Sequence, residues 1–310
     1  MAEIKVMGHV PPDTDSVCSP IIYAWYLQQT GVNAKAVISG KLNRETEFLL
    51  KHFNLPQPEI ISEVGEGDQL ILLDTNNPEE LINGYDKATV IEVIDHHKLA
   101  GLTTPAPLKV TIRPYACVAT ILFEMFDEKI AVNMPEDIAG LMLAAILSDT
   151  LKFTSPTTTD RDREAAKTIA EHAGIGIDDL ASQMFAAKSN LEGMSPADIL
   201  TSDHKNFKFG ESTYKVAVLE TTDPQQALDR KDELLVEMQN VKSSENLAGV
   251  FFFVVNILKS EATLIVSDDS LRSLAEKAFG QSWTGDTMHL PGVVSRKKQM
   301  IPPLEKAAQA

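Results

Sequence analysis

The sequence predicts an α/β protein: an N-terminal parallel sheet with helices on both faces, followed by a smaller C-terminal α/β domain. Three observations carry this. Short apolar, β-branched runs alternate with helical stretches in the first third of the chain, the pattern of βαβ units and a parallel sheet. At 310 residues the chain exceeds what one ordinary core organises. A polar segment with both Gly and Pro, Lys188-Ser189-Asn190-Leu191-Glu192-Gly193-Met194-Ser195-Pro196, then precedes a second set of strands.

Ile4–Met7 is the first expected strand, and Val17, Ile21, Ala24, Trp25 and Gln28 mark the face of the helix that follows at three- and four-residue spacing. Ala34–Ile38, Gln69–Leu73 and Thr89–Ile94 are apolar on both faces, as buried parallel strands are, with a helix at Glu45–Phe53 between them. From about residue 116 the pattern turns helical, over Ala116–Phe126, Pro135–Ser148, Asp160–Ala173 and Asp178–Ala187, with caps or Pro at their starts. Beyond lie strands near Tyr214–Leu219, Gly249–Asn256 and Ala262–Val266, and helices near Arg230–Val241 and Leu271–Phe279. The expected division is residues 1–188, a linker at 189–196, and residues 197–310.

Acids outnumber bases 44 to 28, a formal net charge of −16. Long-range repulsion therefore opposes nucleic acid or an anionic membrane as a partner. A small anionic substrate stays open, but it needs local cations from metals or a basic pocket. A hydrophobic content of 44% marks a folded chain. The longest apolar stretches, Gly249–Val255 and Ala139–Leu147, fall far short of the ~20 residues of a membrane helix. Met1 leads almost directly into a strand without a visible signal segment, and Cys18 and Cys117 lack zinc spacing and read as reduced thiols. A cytoplasmic protein is the expectation.

The chemistry gathers where apolar runs stop. Ile4-Lys5-Val6-Met7-Gly8 runs into His9, Asp13 and Asp15; Leu70-Ile71-Leu72-Leu73 into Asp74; Val90-Ile91-Glu92-Val93-Ile94 into Asp95, His96 and His97. Ligands bind at the carboxyl ends of strands in open α/β sheets. One Asp before a helix is explained by capping, but two carboxylates beside an imidazole repel each other unless a cation sits between them. Asp149 ends an almost wholly apolar helix, where burial and the negative helix pole both oppose its charge. His9, Asp13, Asp15, Asp74, His96 and Asp149 thus form a mixed imidazole–carboxylate set without cysteine, suited to manganese, cobalt or magnesium-like ions. Six donors fit two ions ~3.5–4 Å apart that activate water against a phosphoryl group. Val293-Val294-Ser295-Arg296-Lys297-Lys298-Gln299 is the basic cluster of an acidic chain; it reads either as a solvated face or as phosphate-binding cations, with Lys205 a weaker candidate.

Gly8-His9, Pro12-Asp13-Thr14-Asp15-Ser16, Ile94-Asp95-His96-His97, Ser148-Asp149-Thr150 and Ser295-Arg296-Lys297-Lys298-Gln299, in this order, resemble the family II inorganic pyrophosphatases of the DHH phosphoesterase superfamily over nearly the whole chain. The resemblance implies an N-terminal DHH domain and a dinuclear site between two domains. It implies His9, Asp13, Asp74 and Asp149 around one Mn²⁺, and Asp15, Asp74, His96 and Asp149 around the other, with Co²⁺ or Mg²⁺ as substitutes and a further Mg²⁺ arriving with the substrate. His97, Lys205, Arg296 and Lys297 would contact pyrophosphate, Asp95 would orient an imidazole, and the protein would be a homodimer. Hydrolysis to two orthophosphates by a bridging water would follow, with the second domain closing over the first. In three places the chain departs from the family pattern. The segment after the third strand reads Asp74-Thr75-Asn76-Asn77 in place of Asp-His-Asn-Glu, Pro11 replaces an Asn, and Ala116 stands where a Gly is common. No long insert of the kind that carries nucleotide-binding regulatory domains is present. The alternatives are a DHH exopolyphosphatase or oligonucleotide phosphodiesterase, disfavoured by the acidic balance and the lack of a Gly-Gly dipeptide, and a non-catalytic scaffold, disfavoured because no ligand is lost.

Overall fold

A computed structural model describes residues 3–309; Met1, from which the sequence reading enters the first strand, lies outside them. The chain divides into two compact units, one ending at Ala187 and the other beginning at Lys188.

The first unit is built on six parallel strands: β1 (Ile4–Met7), β2 (Ala34–Ile38), β3 (Glu59–Ile60), β4 (Gln69–Leu73), β5 (Thr89–Asp95) and β6 (Lys109–Ile112). Their order is β3-β2-β1-β4-β5-β6. The chain winds outward through β2 and β3, then returns to place β4 on the other side of β1. That reversal opens a crevice at the carboxyl ends of β1 and β4, where such sheets bind ligands.

Its helices are α1 (Thr14–Gln29), α2 (Arg44–His52), α3 (Val118–Met125), α4 (Glu128–Ala131), α5 (Glu136–Asp149), α6 (Asp160–Ala173) and α7 (Ile177–Ser189). They bury one face of the sheet: Ile22, Leu49, Ile121, Leu143, Ile169 and Met184 share a core with Val6, Ile71 and Ile94. Helix α5 is the centre of this layer, with every residue from Ile138 to Ser148 buried. The opposite face is formed by Met7, Val37, Leu70, Leu72 and Val93. The sequence reading places helices on both faces; here the cover is a 3₁₀ turn at Pro78–Glu80 and irregular chain bearing Val64, Leu81 and Ile82. Asn77-Pro78, Gly84, Gly101 and Pro105 interrupt those connections, and such residues favour turns over helix.

The second unit is a mixed sheet of β7 (His204–Phe209), β8 (Ser212–Thr221), β9 (Gly249–Asn256), β10 (Glu261–Val266), β11 (Trp283–Thr284) and β12 (Thr287–Pro291), in the order β11-β12-β10-β9-β8-β7. Only β8 and β9 pair in parallel. Helices α8 (Pro196–Thr201), α9 (Gln225–Leu228), α10 (Lys231–Ser244), α11 (Arg272–Phe279) and α12 (Ile301–Ala308) accompany it. One core surrounds Phe251, Phe253 and Leu264, the other Phe252, Val254 and Ile265, as alternation along β9 and β10 requires. The segment expected as a linker packs onto this unit: Leu191 enters the second of these cores, and Ser195 caps α8.

Candidate metal centre

Gly8 brings the first two elements of the site together. A Cβ there would stand 2.3 Å from the Ser16 carbonyl oxygen, so only glycine lets the end of β1 abut the start of α1. His9 and Asp13 thereby become neighbours. Asp13 caps α1, its Oδ1 accepting from the Ser16 N–H at 2.9 Å. Its other oxygen, Oδ2, stands 3.4 Å from His9 Nε2. The cap and the contact with His9 use different oxygens of one carboxylate.

Asp74 follows β4 directly and is buried at the centre of the cluster. Its backbone is left-handed, with φ 64, a conformation that Asp and Asn tolerate better than other non-glycine residues. Its N–H donates to the Ile94 carbonyl at 3.0 Å, which ties the turn to β5. Both of its oxygens face imidazoles: Oδ1 lies 3.0 Å from His96 Nε2 and Oδ2 lies 3.5 Å from His9 Nε2.

The far nitrogens of those rings settle their tautomers. His9 Nδ1 lies 2.7 Å from the Pro11 carbonyl and His96 Nδ1 3.1 Å from the Tyr115 carbonyl. A carbonyl oxygen only accepts, so both Nδ1 atoms carry hydrogen. In the neutral ring each Nε2 is then a lone pair aimed at carboxylate oxygens. Only a cation, either a proton or a metal, makes that arrangement favourable. Without a metal the proton fills the role. Burial opposes charge on His9, but Asp13 and Asp74 outweigh it and push its pKa up to about 11. Against the same opposition from burial, Asp74 raises His96 to about 9. Burial likewise works against the Asp13 charge, and His9 overcomes it to hold the carboxyl at about 2; Asp13 is half exposed, so water screens that pair.

Asp15 and Asp149 form the floor. Asp15 is fully buried, accepts from the Val118 N–H at 2.8 Å at the start of α3, and accepts from the Ser19 hydroxyl. Burial and then the Asp74 charge push its pKa up to about 6. Burial, then Asp15 and Asp74, raise Asp149 well above the usual carboxylate range. Donor atoms of Asp15, Asp149 and Cys117 lie within 4.8 Å of one another, as do those of His9, Asp13 and Asp74, and those of Asp74, His96 and His97. A cavity of about 370 Å³ is lined by His9, Asp13, Asp74, His96, His97 and Asp149, with Asp15 beneath. Imidazole lone pairs and mutually repelling carboxylates converging on one cavity fit hard-to-borderline divalent cations. Asp74 is shared between two of the three groupings.

Asp95 is fully buried and lies outside the cavity. Its Oδ1 accepts from the backbone N–H of His96 and His97 at 2.7 and 3.0 Å and stands 3.0 Å from His97 Nδ1. It thereby orients the half-exposed His97 ring and raises its pKa.

Three supporting residues escape sequence reasoning. Asn76 is buried, donating to Asp95 Oδ2 and to the Lys98 carbonyl, and accepting from the Ala100 N–H. It clamps the backbone that follows the two histidines. Asp162, in the first turn of α6, accepts from the Ala116 N–H and the Thr120 hydroxyl and so fixes the start of α3 beside Asp15. Glu45 is buried under Thr14 and Ser148. Their common signal is a charged or amide residue inside an otherwise apolar context, which capping alone explains equally well in a sequence. Cys117 joins the Asp15–Asp149 group without any ligand spacing to announce it.

Within the second unit, Arg296 opens a π-helical turn, Arg296–Met300. Gln299 braces the turn: its side-chain oxygen accepts from the N–H of Val294 and Ser295, and its amide donates to the Gly292 carbonyl. Arg296 Nη2 pairs with Asp203 Oδ1 at 2.8 Å, while its buried Nη1 has no hydrogen-bond partner among the described residues. Lys205, two residues beyond Asp203 at the start of β7, and Lys297 are exposed.

Residues 3–146 match the DHH family, N-terminal domain, and residues 182–307 match the DHHA2 domain. A protein of Lactobacillus gasseri named a probable manganese-dependent inorganic pyrophosphatase is 37% identical over 312 residues, covering 100% of both chains. A Bacillus licheniformis protein of the same name is 38% identical, covering 99% of both. Among solved structures, a Methanococcus jannaschii protein assigned to the family II inorganic pyrophosphatases superposes with a TM-score of 0.67 at 34% identity, covering all of both chains. An exopolyphosphatase-related protein from Bacteroides fragilis, 14% identical with a TM-score of 0.51 over 99% of this chain and 92% of its own, shares the fold.

Proposed function

Because the chain belongs to the manganese-dependent, family II inorganic pyrophosphatases, built from DHH and DHHA2 domains, we propose that it hydrolyses inorganic pyrophosphate to two orthophosphates. The observation that carries this reading is the convergence of the His9 and His96 Nε2 atoms on the two oxygens of Asp74.

In this proposal His9, Asp13, Asp74 and Asp149 hold one divalent cation and Asp15, Asp74, His96 and Asp149 the other, manganese by preference, with cobalt or magnesium as substitutes and a further magnesium accompanying the substrate. Bound there, the cations would supply Lewis acidity, lowering the pKa of water and neutralising phosphoryl oxygens. The protein's own groups supply the rest. His97, held through Nδ1 by Asp95, keeps Nε2 for the substrate, and its raised pKa lets it donate a proton to the departing phosphate. The unpartnered Nη1 of Arg296 offers a buried donor that a phosphoryl oxygen would satisfy. Lys205 and Lys297 would add point charges as negative charge redistributes over the oxygens. Among the described residues no helix is long and apolar enough to cross a membrane. A cytoplasmic homodimer without nucleic-acid partners completes the proposal.

The test is phosphate release from pyrophosphate, ATP, tripolyphosphate and a dinucleotide, with Mn²⁺ or Mg²⁺ supplied. Pyrophosphate should be preferred by orders of magnitude, and exhaustive chelation should abolish turnover until manganese or cobalt returns. Preference for tripolyphosphate or the dinucleotide would move the chain to the exopolyphosphatase or phosphodiesterase reading.

A further inference from the structure

Glu45 lies in the first turn of α2, where an acidic side chain complements the positive helix end. That alone would leave it in water. Instead it is fully buried, and one oxygen, Oε2, accepts two hydroxyl hydrogen bonds: from Thr14 at 2.7 Å and from Ser148 at 2.8 Å. Thr14 sits between Asp13 and Asp15 at the start of α1. Ser148 immediately precedes Asp149 at the end of α5. Residues 103 apart in sequence from Glu45, and 31 apart from it, meet on one atom. The assembly is braced further: Thr14 and Thr46 hydroxyls are 3.1 Å apart, and Thr46 is held by the Asn43 cap of α2.

We infer that Glu45 is a positioning residue for the metal centre, tying the start of α1 to the end of α5 so that Asp13, Asp15 and Asp149 are held at a fixed separation. This inference rests on the functional reading above. The physical need is direct. Asp15 and Asp149 are carboxyls aimed at one point, and their repulsion when both are ionised opposes that geometry unless the backbones carrying them are fastened. A buried carboxylate is costly unless it is hydrogen-bonded. The hydroxyls that satisfy its Oε2 belong to residues adjacent in sequence to three of the six metal-site candidates. Glu45 does not line the cavity; Thr14 and Ser148 connect it to the site.

The test is Mn²⁺ affinity of the full chain, read from the spectroscopic signal of free aqueous Mn²⁺, with thermal unfolding of the chelated protein as the control. Glu45→Ala should weaken Mn²⁺ binding by about 10–100-fold, the range for groups that orient metal ligands. Glu45→Gln, whose amide oxygen still accepts from the hydroxyls, should recover much of that loss. Thr14→Val and Ser148→Ala should each weaken binding in the native background and have no further effect in Glu45→Ala. Should Glu45→Ala fail to fold, the same comparison is made in Glu45→Gln, where both hydroxyl variants should still weaken binding. A folded Glu45→Ala that binds Mn²⁺ as tightly as the native protein would overturn the inference alone, as would hydroxyl-variant losses that persist unchanged in Glu45→Ala or vanish in Glu45→Gln. A native protein that binds no Mn²⁺ would overturn the functional reading and this inference with it.

Discussion

His96 Nε2 stands 3.0 Å from Asp74 Oδ1, while the opposite nitrogen of the same ring is committed to the Tyr115 carbonyl. In the neutral ring it is therefore the lone pair, and not a hydrogen, that meets a carboxylate. Two acceptors in that geometry are stable only around a positive charge. The same logic holds for His9 through Pro11, and Asp74 is the carboxylate common to both.

Asp74→Asn is the sharpest test of that role. Asn accepts the left-handed backbone at this position as readily as Asp does, so the fold should persist with little change in melting temperature. Mn²⁺ affinity and pyrophosphate turnover should both fall by orders of magnitude, since the shared anionic donor is gone. Asp74→Ala should show the same functional loss together with destabilisation of about 1–3 kcal/mol from backbone strain. Near-native turnover in Asp74→Asn would remove the residue from the metal site.

A metal held by these atoms would compete with protons for them, which sets a pH dependence. In the chelated protein His9 and His96 titrate near 11 and 9, above the ordinary 6.5. Their contribution to stability is full below about 6.5 and declines as pH rises through the folded values. Asp15, raised to about 6 from 3.8, declines in the same sense between those values. Asp13, depressed to about 2, acts oppositely and only as pH falls below its ordinary 3.8. The chelated protein should thus lose melting temperature between pH 6.5 and 9, and Mn²⁺ affinity should rise over that window as protons are displaced. Calorimetry in buffers of different ionisation enthalpy should register net proton release. An affinity flat across the window would contradict the shared-atom model.

Arg296 is paired with Asp203 through Nη2, and its buried Nη1 has no hydrogen-bond partner among the described residues. Arg296→Ala should raise the KM for pyrophosphate by at least tenfold while leaving Mn²⁺ affinity within twofold. Asp203→Ala should leave the guanidinium less constrained and change KM by a smaller factor. Unchanged kinetics in Arg296→Ala would return the basic cluster to a solvated face.

Much of the first unit is legible because its signals are local. Ile4–Met7, Ala34–Ile38 and Gln69–Leu73 are bounded by the residues that the sequence suggests, since buried parallel strands are short, uniformly apolar and closed by polar ends. Among the strands that escape, besides β6, β11 and β12, two lack that contrast most plainly. β3 has two residues, both exposed, and β7 reads His204-Lys205-Asn206-Phe207-Lys208-Phe209 with an exposed polar majority at the sheet edge. The ligand candidates are legible because each follows an apolar run. Glu45, Asn76 and Asp162 are not, because what makes them special is the partner on another element. A single sequence presents Glu45 as a helix-start acid and Asp162 as half of a capping box with Thr159, and both descriptions are true. The structure adds that Glu45 reaches Thr14 and Ser148, and that Asp162 reaches Ala116 and Thr120. Val293 and Val294 show the converse: a β-branched apolar pair, they lie in irregular chain braced by Gln299 ahead of the π-helical turn.

Asp149→Asn separates stability from function most cleanly. Burial, Asp15 and Asp74 all oppose charge on the Asp149 carboxyl, and Asp149 ends a helix whose last turn carries no basic residue. An amide of the same shape removes the repulsion. Chelated Asp149→Asn should therefore melt at or above the native temperature at alkaline pH, with the difference shrinking as pH falls and the native carboxyl takes up its proton. Turnover of pyrophosphate should fall by several orders of magnitude in the same variant, and added Mn²⁺ should stabilise it far less than it stabilises the native chain. A gain in the chelated state with a loss in the manganese-loaded state is what a residue retained for a cation must show. A variant destabilised equally with and without manganese would mean that Asp149 serves the fold, through helix α5, and not the metal.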